Sequence, residues 1–590
     1  MSEKHEESAP ASKATTLAGS AAPSRAASVK KTSAHGGESA PGSRAPSTFH
    51  PQDDVDDVRT KERAPAFVVA LCLFQSLAGL LFGWEQGVIS GLVQNDVYQR
   101  RFGEPDATSA SGYSIPSTRQ SLITAFMSLG ALFGALLIGP AARRVGIKMC
   151  FIFSLFIYSV GVAVETSGMN EWGQEVAGRF ITGFGVGALS LLAPLFQAEC
   201  SPKHLRGLIT GTYQLMATIG IFLSNAVNYS LHDAGNDFSW RFPIALQFIW
   251  AAIALVGTVL APESPRYYVQ RDNHDQARAN LAKLRGLEQE DPALLAELDS
   301  IIKGVEDERL AADASFLDCF RLKDRMLLRT MNGILIQMGQ QWTGVNFFFS
   351  YGTKFFATSG IKDPFQTQLI LSGVNVITTF PGLLANDYLG RRTVLFIGSA
   401  IMFSGQIIAG AVSTAKPNDP AAGKALIFAS CWFIAGFASS WGPLGWVVAA
   451  EQFPLKIAPL CVALATASNW LNNFIIAMIV PYITDPGYGD LGTKITFLWA
   501  GTIALFTAQV FFFLPETRGL SLVQVDELYL TGVPAWRSSS WTPYGGATER
   551  NRKERDEAKR LKLGTEASHL ENSAAAKRDL SDDDEAAQQA

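Results

Sequence analysis

The feature that most constrains this chain is a succession of apolar segments, each about twenty residues long, that begins at Ala66 and runs to about residue 514. Each is long enough to cross a hydrocarbon layer of roughly 30 Å as an α-helix. Twelve are read, at 66–93, 119–141, 149–166, 173–196, 206–229, 241–261, 327–357, 367–387, 392–413, 425–450, 457–483 and 494–514. Lipid offers no partner for a backbone N–H or C=O, so such segments must be helices, and the alternating pattern of a membrane barrel is absent. The predicted fold is therefore all-α and polytopic, with the lipid bilayer as its surroundings.

Composition agrees once the tails are set aside. Hydrophobic residues make up 48% and charged residues only 17%, while the mean hydropathy of +0.14 is diluted by polar ends rich in Ser, Ala, Lys and Glu. A net charge of −4 lacks the basic excess that phosphate neutralisation requires, which sets nucleic acid aside as a partner. The six cysteines show no CxxC spacing, so neither a disulfide framework nor a zinc site is expected. No nucleophile–base pair or metal constellation sits in a plausible aqueous site, so an enzyme is not expected either.

Charge placement orders the segments. The loops carrying Arg143, Arg144 and Lys148, then Lys203 and Arg206, then Arg391 and Arg392 are basic, whereas the 166–176 loop has no base. By the positive-inside rule those loops, both tails and the central linker are expected in the cytoplasm. The expected domains are a disordered tail at 1–62, a six-helix bundle at 63–261, a soluble helical linker at 262–326, a second bundle at 327–515 and a mostly disordered tail at 516–590. A removable secretory leader is not expected at the polar N-terminus.

The two bundles repeat one another. Glu199, Pro202 and Lys203 end the fourth segment as Glu451, Pro454 and Lys456 end the tenth, and Pro262-Glu-Ser-Pro-Arg266 closes the sixth as Pro515-Glu-Thr-Arg518 closes the twelfth. Parallel repeats of six helices are a transporter architecture, with the binding site at the repeat interface near mid-membrane.

Several strings in order and register carry a closer likeness. They are Gly79-Leu-Leu-Phe-Gly-Trp-Glu-Gln-Gly-Val-Ile-Ser-Gly91, Gly178-Arg179 with Gly183-Phe-Gly-Val-Gly187, Pro194 to Gly207, Pro262 to Arg266, Gln340-Gln-Trp-Thr-Gly-Val-Asn346, Asp387-Tyr-Leu-Gly-Arg-Arg392, Gly442-Pro-Leu-Gly-Trp446, Asn469-Trp470 and Pro515 to Ser521. From about Ala66 to Leu528 the chain resembles the sugar porter branch of the major facilitator superfamily, most like its fungal hexose transporters. The resemblance implies alternating access to a central polar cavity for a monosaccharide, a plasma-membrane location, a functional monomer and no cofactor beyond a co-transported proton. A membrane sugar sensor using the same cavity is the alternative.

Gln337, Gln340, Gln341 and Asn346 put amides at helical spacing in an apolar segment. Polar groups at membrane depth are costly unless satisfied, and carboxamides both donate and accept, as sugar hydroxyls do. The resemblance assigns Gln340, Gln341 and Asn346 to the sugar, with Gln214, Asn375 and Asn473 as partners; Asn469 belongs to the same set, and Trp446 and Trp470 offer flat apolar faces. Interhelical amide bonding is the competing reading of these residues. Glu85 in the first span is expected to pair with Arg179 in the fourth, either as a proton-coupling site or as a purely structural pair. The charges Arg144, Glu199, Arg206, Glu263, Arg266, Asp387, Arg391, Arg392, Glu451, Lys456 and Glu516 are expected to form a cytoplasmic gate of opposite signs across the two halves. Arg143 stands where the family places an acid, so the first half of that gate is expected to be rewired.

Overall fold

The computed structural model describes residues 66–541, apart from 108–110, 169–170, 202–205, 311–315, 417–418, 455–456 and 521. The expected tails at 1–62 and beyond 541 lie outside the described residues, as do the side chains of Arg206, Asp387 and Lys456.

The first half contains α1 (Ala66–Leu92), the short α2 (Asp96–Phe102), α3 (Ser117–Val145), α4 (Ile147–Ser167), α5 (Trp172–Cys200), α6 (Arg206–Leu231), α7 (Phe238–Ala245) and α8 (Gln247–Leu260). Between α2 and α3 a two-residue ribbon pairs β1 (Glu104–Pro105) with β2 (Tyr113–Ser114), a small departure from the all-helical reading. The linker folds as α9 (Pro265–Val269), α10 (His274–Arg285) and α11 (Pro292–Leu310), which share a small core of Val269, Ala277, Leu281, Leu294 and Leu298. The second half contains α12 (Met326–Trp342), α13 (Val345–Thr358), α14 (Pro364–Leu389), α15 (Arg391–Ala415), α16 (Pro420–Ser439), α17 (Trp441–Glu451), α18 (Ala458–Thr484) and α19 (Ile495–Phe513). A last helix, α20 (Leu522–Thr531), follows.

Among the described residues, ten helical stretches are long and apolar enough to cross a membrane. The expected fifth and seventh spans are not among the ten. The fifth, α6, carries Thr212, Gln214, Thr218, Ser224, Asn225 and Asn228 along its length, which lowers its hydropathy. The seventh is broken into α12 and α13 at Gly344, whose φ of +87° places it in the left-handed region; a Cβ there would stand 2.5 Å from Cγ of Trp499. The tenth breaks at Ser440, between α16 and α17. Pro443 lacks a backbone N–H, and its ring conflicts with the carbonyl four residues back, so the helix cannot run straight through.

Each half has its own apolar core, and each lends a residue to the other. Trp470 of α18 packs in the first core, and Ile221 of α6 packs in the second. The Gly183-x-Gly185-x-Gly187 run of α5 serves close packing, since a Cβ at any of the three would meet Met127, Tyr158 or Ala131 of the adjoining helices. Outward-facing residues such as Leu137, Phe156, Leu260, Ile377, Phe428 and Leu505 are exposed and apolar, an arrangement that suits lipid and not water.

Candidate functional site: a central amide-lined cavity

Between the two halves lies a cavity with about 650 Å³ of empty space, its open mouth included. Helix α1 supplies Phe82 and Gln86, α5 supplies Ser190, and α6 supplies Tyr213, Gln214 and Thr218. From the second half come Gln340 and Gln341 of α12, Asn346 and Phe349 of α13, Asn375 of α14, Phe437 and Trp446 flanking the break at Ser440, and Asn469 and Trp470 of α18. The break at Gly344 turns Asn346 toward the same space as Gln341, which an unbroken helix would place on successive faces.

Two groups of amides separate on their hydrogen bonds. Asn469 is a hub: its Nδ2 donates to Oε1 of Gln337 at 2.6 Å and to Oε1 of Gln340 at 2.7 Å, and its Oδ1 accepts from Nε2 of Gln341 at 2.9 Å. Nε2 of Gln340 donates to the carbonyl of Gly442 at 2.7 Å, and Nε2 of Gln337 to that of Gly445 at 3.2 Å, so α12 is tied to the broken α16–α17 unit. Asn346 donates to Gln341, leaving its own oxygen for the cavity. By contrast, Gln86, Gln214 and Asn375 line the cavity without a side-chain hydrogen bond to the described protein. The first group is a preassembled frame, and the second group offers free donors and acceptors. Amide bonding between helices and a polar cavity wall are thus both present, on different atoms.

The structure brings Gln214, Gln340, Gln341, Asn346, Asn375, Trp446, Asn469 and Trp470 to one cavity wall. It does not bring Gln337 or Asn473 there. Gln337 stands behind Asn469 and orients it, and Asn473 is buried one helical turn beyond Asn469 on α18. Sequence reasoning missed Gln86, Tyr213 and Thr218. Gln86 is a lone amide in an apolar span, the same signal used for α12, and Tyr213 and Thr218 flank Gln214 on α6. Phe82 meets Trp470 edge to face at 5.4 Å, joining the halves beside the cavity.

At the end away from the basic loops, the halves are bonded together. Ser90 and Thr353 share a hydrogen bond of 2.9 Å, and Nζ of Lys354 donates to Oε1 of Gln120 at 2.7 Å. Asp485 accepts from the Ser117 hydroxyl at 2.6 Å and pairs with Lys354 at 3.0 Å. The Tyr482 hydroxyl reaches Thr118 at 3.1 Å. None of these residues was singled out from the sequence, because the partners lie more than a hundred residues apart and their chemistry is ordinary.

Charges at the basic end are bonded within each half in this conformation. Arg391 pairs with Glu451 at 2.9 Å, both in the second half, and Ser264 donates to Glu199, both in the first. Glu516 accepts from the backbone N–H groups of Arg391 at 2.9 Å and Arg392 at 3.0 Å, capping α15. Glu263 does the same for α4, accepting from Lys148 N at 3.2 Å, so the two repeated motifs perform one structural task twice. Burial pushes the Glu263 carboxyl above its ordinary range, opposed by the N–H groups of Ser264, Lys148 and Ile147. Arg266 follows Glu263 at the start of α9, and Arg392 reaches the carbonyls of Ala535 at 2.6 Å and Phe511 at 3.0 Å. Arg143 and Arg144 are exposed and form no ion pair among the described residues, unlike Arg391 in the other half. Helix capping and pairing within a half thus engage Glu263, Glu516, Arg391 and Glu451, while the gate residues Arg206, Asp387 and Lys456 lie outside the described side chains.

Glu85 and Arg179 meet as expected, in a direct ion pair whose side chains are almost wholly buried. Arg179 also points Nε at the carbonyl of Ile123 at 3.4 Å.

Comparison with known proteins follows the same lines. Residues 71–529 match the family model described as sugar (and other) transporter. Hexose transporter 2 of Kluyveromyces lactis is 37% identical over 504 residues, covering 84% of this chain and 88% of its own. The galactose transporter of Saccharomyces cerevisiae is 37% identical over 486 residues, covering 81% and 83%. Among solved structures, a proton:xylose symporter of the major facilitator superfamily bound to 6-bromo-6-deoxy-D-glucose shares the fold, with a TM-score of 0.65 at 24% identity over 79% of this chain and 100% of that one. The xylose transporter from E. coli in a partially occluded inward-open conformation gives a TM-score of 0.63 at 25% identity, over 78% and 100%. With its repeated halves and the cavity between them, a fold it shares with that major facilitator symporter, the chain belongs to the sugar transporter family and is a multi-pass membrane transporter.

Proposed function

We propose that the chain carries a monosaccharide, a hexose such as glucose or galactose, across the plasma membrane by alternating access. The observation that carries this reading is the cavity between the halves, where the unbonded carboxamides of Gln86, Gln214 and Asn375 and the free amide oxygen of Asn346 face aromatic rings at Trp446 and Phe349. Carboxamides match hydroxyls that donate and accept, and ring faces match the C–H side of a pyranose. Asn469 and Gln337 act as positioning residues, since their amides are used up in holding Gln340 and Gln341. With the basic loops in the cytoplasm, the bonded end between Ser117, Gln120, Lys354 and Asp485 is the closed extracellular side, and both tails are cytoplasmic. No cofactor is required apart from a proton, and one copy contains a whole site. The sensor reading finds no support among the relatives named above, which are transporters.

Transport is coupled to a proton through Glu85 and Arg179. A carboxylate buried against a guanidinium releases or takes a proton when the pair is separated, which links charge state to conformation. Uptake of labelled glucose and galactose into a yeast strain without its own hexose carriers tests both steps. Proton coupling predicts loss of accumulation on adding a protonophore and in Glu85→Gln. Accumulation indifferent to both overturns the coupling, and absence of any hexose uptake by surface-exposed protein overturns the substrate class.

A further inference from the structure

Glu85 is not the sole acid around Arg179. Glu165, near the end of α4, and Glu175, in the first turn of α5, are as deeply buried as Glu85 and Arg179, all at 2% exposure or less. Glu165 faces Glu85, Arg179 and Glu175, and accepts from the Thr182 hydroxyl at 2.7 Å. Both carboxyl oxygens of Glu175 are buried without a close hydrogen bond, and the Tyr98 hydroxyl is the donor that faces them. The other titratable groups around the cluster are Tyr158 of α4, whose hydroxyl bonds Gln247 of α8, and Tyr351 of α13 at longer range; from α3 the Ile123 carbonyl faces Arg179 and Thr124 faces Tyr351.

Three carboxylates against one guanidinium leave two negative charges in excess if all are ionised. An uncompensated buried ion costs several kcal/mol, so such a group binds a proton instead. The hydrogen bonds indicate which ones do. Arg179 closes on Glu85. An ionised carboxylate collects several donors on its lone pairs, yet Glu175 has only the Tyr98 hydroxyl facing it and Glu165 a single hydroxyl from Thr182.

We propose that Glu165 and Glu175 are a second protonation site, each holding one exchangeable proton in this conformation while Glu85 stays ionised against Arg179. The two carboxyls lie between that ion pair and the end of the molecule remote from the basic loops. Each proton is taken from water as a carboxylate becomes a carboxylic acid, and returns to water when movement of the halves wets the site. Its consequence for transport rests on the proton-coupled reading above; the protonation itself does not.

Infrared spectroscopy of the full chain in lipid nanodiscs, with ¹³C-carboxyl glutamate, separates the two. At neutral pH the wild type is expected to show a protonated-carboxyl signal that moves with the label. E165Q and E175Q should each remove one component, and E85Q should remove neither. No label-sensitive protonated signal in the wild type overturns the proposal without any variant having to fold, and so does a signal lost only in E85Q. In proteoliposomes loaded for counterflow of labelled D-glucose, E165Q and E175Q should shift the acidic limb of the rate against pH. If the infrared components are present and the limb does not move, the protonation stands and the coupling reading fails.

Discussion

Asp485 offers a direct test of what keeps the halves together at the end remote from the basic loops. It belongs to the second half, and its carboxylate accepts from Ser117 of the first half at 2.6 Å while pairing with Lys354 of its own half at 3.0 Å. Of the two contacts of Asp485, the one to Ser117 is lost when the halves part, because Lys354 moves with Asp485. A hydrogen bond to a charged acceptor contributes about 1.5–3 kcal/mol. Lys354 and Asp485 retain 25% and 14% of their side-chain exposure, so water replaces part of what is lost and the lower figure applies. Asp485→Ala should therefore shift the equilibrium toward separation of this end by about 1.5 kcal/mol, roughly tenfold. Asp485→Asn keeps an acceptor and should shift it by under about 1 kcal/mol. Spin labels at the exposed Glu104 and Tyr488, one in each half, report the separation as a distance distribution in lipid nanodiscs. Ser117→Ala removes the same bond from the other side, so the double variant should shift the populations no further than Asp485→Ala alone. Additive shifts, or an unmoved distribution in Asp485→Ala, would refute the assignment of this bond to closure.

Two further outcomes follow from the same geometry. Asn469→Ala releases three glutamines at once, Gln337, Gln340 and Gln341, and should lower thermal stability in detergent by about 2–3 kcal/mol while abolishing measurable uptake, whereas Gln214→Ala, which breaks no protein bond, should weaken apparent sugar affinity and leave stability within about 0.5 kcal/mol of wild type. Because burial raises the Glu263 carboxyl in the folded protein, folding favours its protonated form, so stability should be fullest at acidic pH and decline as pH rises through that raised value. Glu263→Gln should flatten this decline in a melting-temperature series, and a slope unchanged by the substitution would show that the cap does not titrate there.

Much of the fold was legible because lipid imposes a simple rule: apolar length means helix. The starts of α1, α3 and α15 fall within two residues of expectation for that reason. The amides of α12 stood out because polar atoms are rare at such depth. What stayed hidden depended on long-range pairing. Lys354, Asp485 and Gln120 are ordinary polar residues until three helices bring them together, and Glu165 and Glu175 drew no reading from the sequence because only the packing of α4 and α5 buries them beside Arg179. The repeated Pro-Glu motifs were recognised as a pair, but a sequence motif does not tell an ion pair from a backbone cap. Glu263 and Glu516 proved to be caps. Gln337 stands out by its spacing along the helix and Asn473 by the family resemblance, and neither signal resolves whether a side chain reaches the cavity or stands behind one that does.

The linker and the last helix are fastened to different halves. Arg285 of α10 donates to the carbonyl of Cys200 at 2.8 Å and Asn280 to that of Glu263 at 3.0 Å, so the linker rides on the first half. Asp526 of α20 pairs with Arg329 at 2.5 Å, and Tyr529 lies under the same guanidinium at 4.5 Å, so the final helix rides on the second. A donor dye on the exposed face of α11 and an acceptor at Ser540 would therefore sit on opposite arms of the rocking motion, both on the accessible basic end. Energy transfer between them would read the transport cycle as an optical signal, making the protein a scaffold for a genetically encoded indicator of its own substrate.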